Sequence, residues 1–96
     1  MIKIFFENNK KIHTVYFAGR FDAIGSQEVN ERINSLIDLG HYNFVLDLEK
    51  VDYLSSAGIR VLLYLKKRIK KLKGDFKLAC VQSYPLSVLE NYRLIR

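Results

Sequence analysis

The chain is poor in the residues that build disulfides, metal sites and membrane spans. It has one cysteine and two histidines, and no apolar stretch approaches the roughly 20 residues that a membrane-spanning helix requires. Cys80 therefore has no partner for an internal disulfide, and its apolar neighbours predict a position in the core. His13 and His41 stand far apart in the sequence, with no cysteine or carboxylate at metal-ligand spacing. We expect no metal, no cofactor and no membrane span.

Residue patterns typical of enzymes are missing as well. No serine is accompanied by a plausible histidine and carboxylate, there is no glycine-rich phosphate loop, and the carboxylates are not paired on one element. We expect a protein that is a substrate of enzymes and is not itself an enzyme.

Length and composition fit one small domain, predicted to span 1–96. Of the 96 residues 49% are hydrophobic, with six tyrosines and six phenylalanines, which is enough for a single core. The net charge is +6, from 16 cationic and 10 anionic residues, and much of it lies between Arg60 and Lys77. The apolar start of the chain is soon interrupted by charged residues, so we expect an unprocessed, cytoplasmic protein.

The apolar pattern predicts alternating strands and helices. Predicted strands cover 2–6, 12–17, 43–48 and 76–81, and predicted helices cover 26–39 and 56–73, with a last helix opened by Ser83 and Pro85. Turns are predicted at Asn8-Asn9 and between Leu48 and Val51. The two helices carry apolar stripes, formed by Val29, Ile33, Leu36 and Ile37 in the first and by Ile59, Leu62, Leu65, Ile69 and Leu72 in the second. Strand–helix–strand order occurs twice, so parallel right-handed crossovers are expected. The fold class is therefore α/β, a small mixed sheet of about four strands with helices packed on it.

The stretch 45–63 carries most of the functional information. It predicts a buried strand that delivers two adjacent serines, Ser55 and Ser56, to the first turn of a long amphipathic helix. The free N–H groups and the positive dipole end at such a position favour a phosphate. This pattern is typical of a site regulated by phosphorylation.

These residues resemble the STAS domains, and within them the single-domain bacterial anti-sigma factor antagonists. The resemblance rests on Gly19-Arg20-Phe21-Asp22-Ala23, on 45–48 and above all on 51–63. In that family the serine two positions before the glycine is phosphorylated, which implies Ser56 because Gly58 fixes the register. The commonest family pattern is Asp-Ser-Ser-Gly, and here Ser55 replaces the aspartate, so Ser55 is the second choice.

The resemblance also implies a function, with partners and an interface. The unphosphorylated form binds an anti-sigma factor Ser/Thr kinase with a GHKL-type ATPase fold and is released when that kinase phosphorylates Ser56; a metal-dependent Ser/Thr phosphatase reverses the reaction. The implied partner-binding residues lie around the serines and in the loop before the first helix: Arg20, Asp22, Leu54, Ser55, Ser56, Ala57, Gly58 and Ile59. In the family the last helix is usually followed by further residues, whereas this chain stops at Arg96; it is either shortened or a short member.

Several alternatives stay open at the level of sequence. One of the two serines can be a simple helix cap. The lack of a side chain at Gly58 can allow either the close approach of a partner's backbone or tight packing against the sheet. Asp22 can contact a partner or bond to its own local backbone. Asp47 is predicted to accept backbone N–H bonds. A STAS subunit of a transporter or stress-signalling assembly, without phosphorylation, is an alternative function. The basic stripe from Arg60 to Lys77 fits a nucleic-acid-binding module less well, because it lacks interleaved aromatics, and we interpret it as a solvated helix face.

Overall fold

A computed structural model describes residues 2–81 and Leu89. The elements are, in chain order, β1 Lys3–Asn9, β2 Ile12–Phe21, α1 Ala23–Asp38, β3 Asn43–Leu54, α2 Ser56–Lys71 and β4 Asp75–Ala79. The four strands form one sheet in the order β1-β2-β3-β4. The first pair is antiparallel and the other two are parallel, so the predicted mixed sheet is confirmed. The predicted last helix lies outside the described residues, apart from Leu89, which is buried.

One core holds the two helices on the sheet. The helices contact each other as well as the strands, which places both on the same face. The predicted stripes supply the buried residues Val29, Ile33, Ile37, Ile59, Leu62, Leu65 and Ile69, while Leu72 is exposed. From the sheet, Val15, Phe17, Phe44 and Leu46 meet them. Each fully buried side chain of this size contributes about 1.5–3 kcal/mol, so the helix positions are fixed by packing.

The predicted turn after Leu48 is wrong, because β3 continues to Leu54. In its pairing with β2, Tyr16 and Ala18 face Asp47 and Lys50, so β3 has one extra residue there, and it has another opposite Gly19–Arg20. Such bulges change the spacing of inward residues from two to three, as in the buried series Leu48, Val51 and Leu54. As predicted, Asp47 accepts a backbone N–H, that of Glu49 at 2.9 Å, within the strand instead of a loop.

Several element boundaries differ from the predictions, and two of the differences have a clear local cause. The β1–β2 connection is Lys10-Lys11, with Lys10 at φ 61°, while Asn8 and Asn9 are paired in β1. Helix α1 begins three residues before Ser26, because Asp22 caps it and Ser26 is buried, donating from its hydroxyl to the Asp22 carbonyl at 2.5 Å.

The predicted core position of Cys80 is also wrong, because this cysteine is exposed. In β4 the buried residue is Phe76, and Cys80 follows the last strand residue with φ 56°, outside the alternation that carries apolar side chains inward. The negative charge of Asp47, together with desolvation, raises the pKa of the Cys80 thiol. A raised pKa keeps the thiol protonated and unreactive.

Candidate functional site

The candidate site lies where two neighbouring parallel strands end. Phe21 and Leu54 are the last residues of β2 and β3 and pair with each other in the sheet. Each strand is followed by a single capping residue and then a helix: Asp22 joins β2 to α1, and Ser55 joins β3 to α2. In open α/β sheets this carboxyl edge is where ligands bind, because loops and helix N-termini converge there. The fold therefore brings the Gly19–Ala23 segment beside the two serines, as the resemblance implied.

Ser55 is fully used in holding this edge together. Its hydroxyl accepts the N–H of Gly58 at 3.0 Å, which caps α2, and donates to the carbonyl oxygen of Phe21 at 2.8 Å. Its backbone N–H donates to the same carbonyl at 3.0 Å. Phosphorylation of this oxygen would remove the hydroxyl proton, so modification of Ser55 would break one of the two hydrogen bonds that it donates to the Phe21 carbonyl.

Ser56 is the first residue of α2 and is exposed. Within the described residues its hydroxyl makes no hydrogen bond. An exposed hydroxyl at the first helical position, beside unpaired N–H groups, is accessible to an enzyme and favourably placed for a phosphate. The geometry therefore assigns the cap to Ser55 and leaves Ser56 available for chemistry.

Gly58 is buried against the end of β2. A Cβ atom added there would lie 2.6 Å from Phe21 Cδ1, 2.9 Å from Leu54 Cδ1 and 3.1 Å from the Phe21 carbonyl oxygen. Because real Cβ atoms do not approach so closely, this position accepts only glycine unless the phenylalanine ring moves. Of the two interpretations offered by the sequence, close packing within the domain explains this glycine.

Asp22 and Arg20 are both engaged locally. The Asp22 carboxylate accepts the Gly25 N–H at 2.8 Å and so caps α1. The Arg20 guanidinium lies over the Tyr53 ring, 4.0 Å from its centroid, in a cation–π contact between neighbouring strands. Arg20 stays exposed and Asp22 half-buried, so both can still reach a partner.

The eight predicted partner-binding residues divide by burial. Arg20 and Ser56 are exposed, and Asp22, Ser55 and Ala57 are half-buried. Leu54, Gly58 and Ile59 are buried, which means that they support this surface from beneath instead of forming it.

Sequence reasoning missed a groove between α1 and α2 beside Ser56. It is lined on one side by Ala23, Ser26, Gln27 and Asn30 and on the other by Ala57, Arg60, Val61 and Tyr64. Tyr64 is 50% exposed, and Ile24, on the first turn of α1, is 81% exposed. The spacing of Arg60 and Tyr64, four and eight residues after Ser56, is the signal that could have placed them on the same helix face.

The described residues contain no group of three histidine, cysteine or carboxylate side chains that could hold a metal ion. His13 and His41, distant in the sequence, do meet, with ring centroids 4.3 Å apart, but at the other end of β2 from the serines. Neither helix of the described part is long and apolar enough to cross a membrane.

Comparison with known proteins agrees with this geometry. The family model of the STAS domain matches residues 3–96. The chain belongs to the STAS family. It is 29% identical over 72 residues to BtrV, a candidate anti-sigma factor antagonist of Bordetella bronchiseptica, a match that covers 75% of this chain and 62% of BtrV.

Solved structures confirm the STAS fold. The anti-sigma factor antagonist SpoIIAA of Bacillus, in its unphosphorylated form, superposes with a TM-score of 0.80 at 14% identity, over 92% of this chain and 82% of SpoIIAA. Its phosphorylated form gives 0.83 at 15% identity, over 96% and 85%. An anti-sigma factor antagonist from Mycobacterium paratuberculosis gives 0.78 at 18% identity, over 99% and 83%.

Proposed function

We propose that this domain is an anti-sigma factor antagonist that works by partner switching in the cytoplasm. Unphosphorylated, it binds an anti-sigma factor kinase with a GHKL-type ATPase fold and thereby frees a sigma factor. Phosphorylation of Ser56 releases the kinase, and a metal-dependent Ser/Thr phosphatase restores the binding form. The observation that carries this proposal is the division of roles between the two serines: the Ser55 hydroxyl is consumed by the fold and that of Ser56 is exposed.

The transfer needs nothing from this domain except an accessible hydroxyl. Ser56 Oγ attacks the γ-phosphorus of ATP, an O–P bond forms, and the bond from that phosphorus to the β,γ-bridging oxygen breaks. ADP leaves, and the hydroxyl proton passes to a base of the kinase, which also supplies the magnesium site. In this proposal Ser56 is a substrate residue and the catalytic groups belong to the kinase.

Magnitudes favour a switch that acts on the interface and leaves the fold intact. A phosphate adds a charge of about −1.5 to −2, and at a helix N-terminus a negative charge stabilises by about 0.3–1 kcal/mol. Buried in an interface without a prepared partner, the same charge costs roughly 3–5 kcal/mol. That cost corresponds to about two to three and a half decades in affinity. The interface effect is several times larger than the effect on folding.

The test compares binding and stability in the same variants, using candidate anti-sigma factor kinases from the same genome. Ser56→Asp should lower affinity at least tenfold, yet melt within a few degrees of the parent, since the charge lies in the first turn of α2. Ser56→Ala should bind and stay bound with ATP present. Because one aspartate carries less charge than a phosphate, the enzymatically phosphorylated protein is measured beside it.

Two controls make the result specific. Ser55→Ala should still incorporate phosphate, and intact mass with peptide mapping should place it on Ser56. Replacing the lysines on the later turns of α2 with glutamine should reduce binding less than Ser56→Asp does; these are Lys66, Lys67, Lys70 and Lys71. Equal affinity of the parent and the Ser56 phosphoprotein, with loss only in the lysine variant, would contradict the proposal and move the function to the basic helix.

A further inference from the structure

Arg60 lies one helical turn after Ser56 on the exposed face of α2. Residues four apart on a helix are surface neighbours, with about 5–6 Å between their Cβ atoms. Helical side chains lean toward the N-terminus, so the long arginine side chain is directed over the turn that contains Ser56. Buried neighbours on both sides, Ile59 and Leu62, hold this face of the helix toward solvent.

Arg60 differs from the other arginines of the described part of the chain. Arg32 pairs with Glu28 at 3.6 Å, Arg68 pairs with Asp38 at 2.7 Å, and Arg20 lies on Tyr53. Arg60 has no ion pair or hydrogen bond among the described residues. The groove that it lines contains no carboxylate among those residues, so nothing in the described part of the groove competes for its guanidinium.

We propose that Arg60 binds the phosphate of phospho-Ser56 within the same helix. Guanidinium and phosphate form short, bidentate, charge-assisted hydrogen bonds, which a lysine cannot reproduce. Phosphorylation then has two effects. It adds negative charge at the start of α2, and it engages Arg60, the one unpaired guanidinium in the described lining of the groove, so that Arg60 can no longer bind an acidic group of a partner. The inference rests on the proposed function only in taking Ser56 as the phosphorylated residue.

The test uses protein with phosphoserine incorporated at position 56 by genetic encoding, so that no kinase is needed. In a ³¹P NMR titration a neighbouring cation favours the dianion, and Arg60 should therefore lower the second pKa of the phosphate. Arg60→Gln should raise this pKa by about 0.2–0.7, the range expected for an exposed ion pair. Lys67→Gln, which removes a cation from the same exposed face about two turns further on, should leave it unchanged.

Arg60→Lys separates charge from geometry. It should give a phosphate pKa close to that of the parent, but it should lose the arginine side-chain N–H resonances that shift on phosphorylation of the parent. Identical phosphate pKa values in the parent and Arg60→Gln would overturn the inference. The helix dipole is common to all variants, so it cancels from these differences.

Failure of this inference is distinguishable from failure of the proposed function. If the encoded phosphoprotein binds the kinase as tightly as the parent does, the proposed function is wrong whatever the pKa values are. If the phosphoprotein is released but Arg60→Gln leaves the phosphate pKa unchanged, the switch stands and the role of Arg60 is wrong.

Discussion

The starts of α1 and α2 are built to the same plan. In each, a parallel strand ends, one polar residue caps the helix, and the N–H that it accepts belongs to a glycine three residues later. Asp22 accepts from Gly25 at 2.8 Å, and Ser55 accepts from Gly58 at 3.0 Å. Both glycines are buried, and an added Cβ would clash at each. The cap and the glycine are thus what the fold requires at this edge.

The two starts differ at the positions that the fold leaves free. The first helical residue is Ala23 in α1 and Ser56 in α2, and one turn later stand Gln27 and Arg60. One helix start therefore presents a methyl group and an amide, and the other a hydroxyl and a guanidinium. The comparison teaches that the regulatory chemistry proposed here resides in two side chains that can be exchanged without changing the architecture.

The strongest test of this comparison moves the hydroxyl from one helix to the other. The double variant Ala23→Ser, Ser56→Ala should incorporate no phosphate with the kinase of the proposed function, because in that proposal the kinase acts on the hydroxyl at the start of α2. Phosphate incorporation is measured by intact mass. Ala23→Ser alone should incorporate a single phosphate, on Ser56. Modification at position 23 would mean that any exposed hydroxyl at a helix start is sufficient.

The glycines should respond unequally. Gly58→Ala should lower the free energy of unfolding by about 1–3 kcal/mol, because its Cβ would lie 2.6 Å from the buried Phe21 ring, a clash larger than the gain in helix propensity. Gly25→Ala should cost less, because its nearest contact, the Cγ2 methyl of Ile2 at 2.9 Å, is a smaller overlap than the 2.6 Å contact at Gly58. Urea denaturation with equal m-values measures both. Equal losses would show that the Phe21 ring can move aside.

Local patterns predicted much of this molecule. The stripe from Ile59 to Ile69 and the mixed sheet followed from residue spacing, since a helix face and a buried strand depend on neighbours in the chain. The choice of Ser56 over Ser55 as the phosphorylated residue came from the resemblance to the STAS domains, through the position of Gly58, and stays a prediction. The hydrogen bond from the Ser55 hydroxyl to the Phe21 carbonyl could not be derived from local patterns, because it joins residues 34 apart in the chain.

The errors have a common physical origin in pairing between distant segments. The bulges that carry β3 past Leu48 exist only in register with β2, so the pattern of 48–54 alone is that of a turn. Likewise, Cys80 lies in an apolar sequence but falls beyond the end of β4. The contact of His13 with His41 also arises from strand register. His13 pairs with Phe44, and His41 lies in the loop that leads into β3 just before Phe44.

The caps should matter less than the glycines. Ser55→Ala should cost about 0.5–2 kcal/mol of stability, toward the upper end because the hydroxyl also bonds to Phe21, and Asp22→Ala should fall toward the lower end of the same range. Ser55→Asp, which can still accept from Gly58, separates the two bonds of the serine. Thermal melts compare the three variants. A larger loss for Asp22→Ala than for Ser55→Ala would reverse this ranking.

The smallest expected effect is a dependence of the stability of the whole domain on pH, which the cap variants should share with the parent. Burial, with the nearby charge of His41 as the second cause, lowers the pKa of His13 below the ordinary value of 6.5. The folded state then binds fewer protons than the unfolded state, so this stabilisation is fully present above pH 6.5 and is lost as the pH falls through the lowered pKa. The melting temperature should decline below that pH.

The variant His13→Gln should flatten this decline, while His41→Asn should weaken it, because it removes the second cause of the lowered pKa together with the ring contact and leaves most of the burial of His13. Since the two histidines lie at the opposite end of β2 from Asp22 and Ser55, the cap variants should keep their differences from the parent at both pH 7.5 and pH 5.5. Melting curves at the two pH values measure this. A cap difference that changes with pH would show that the histidine pair and the regulatory edge are energetically coupled through the sheet.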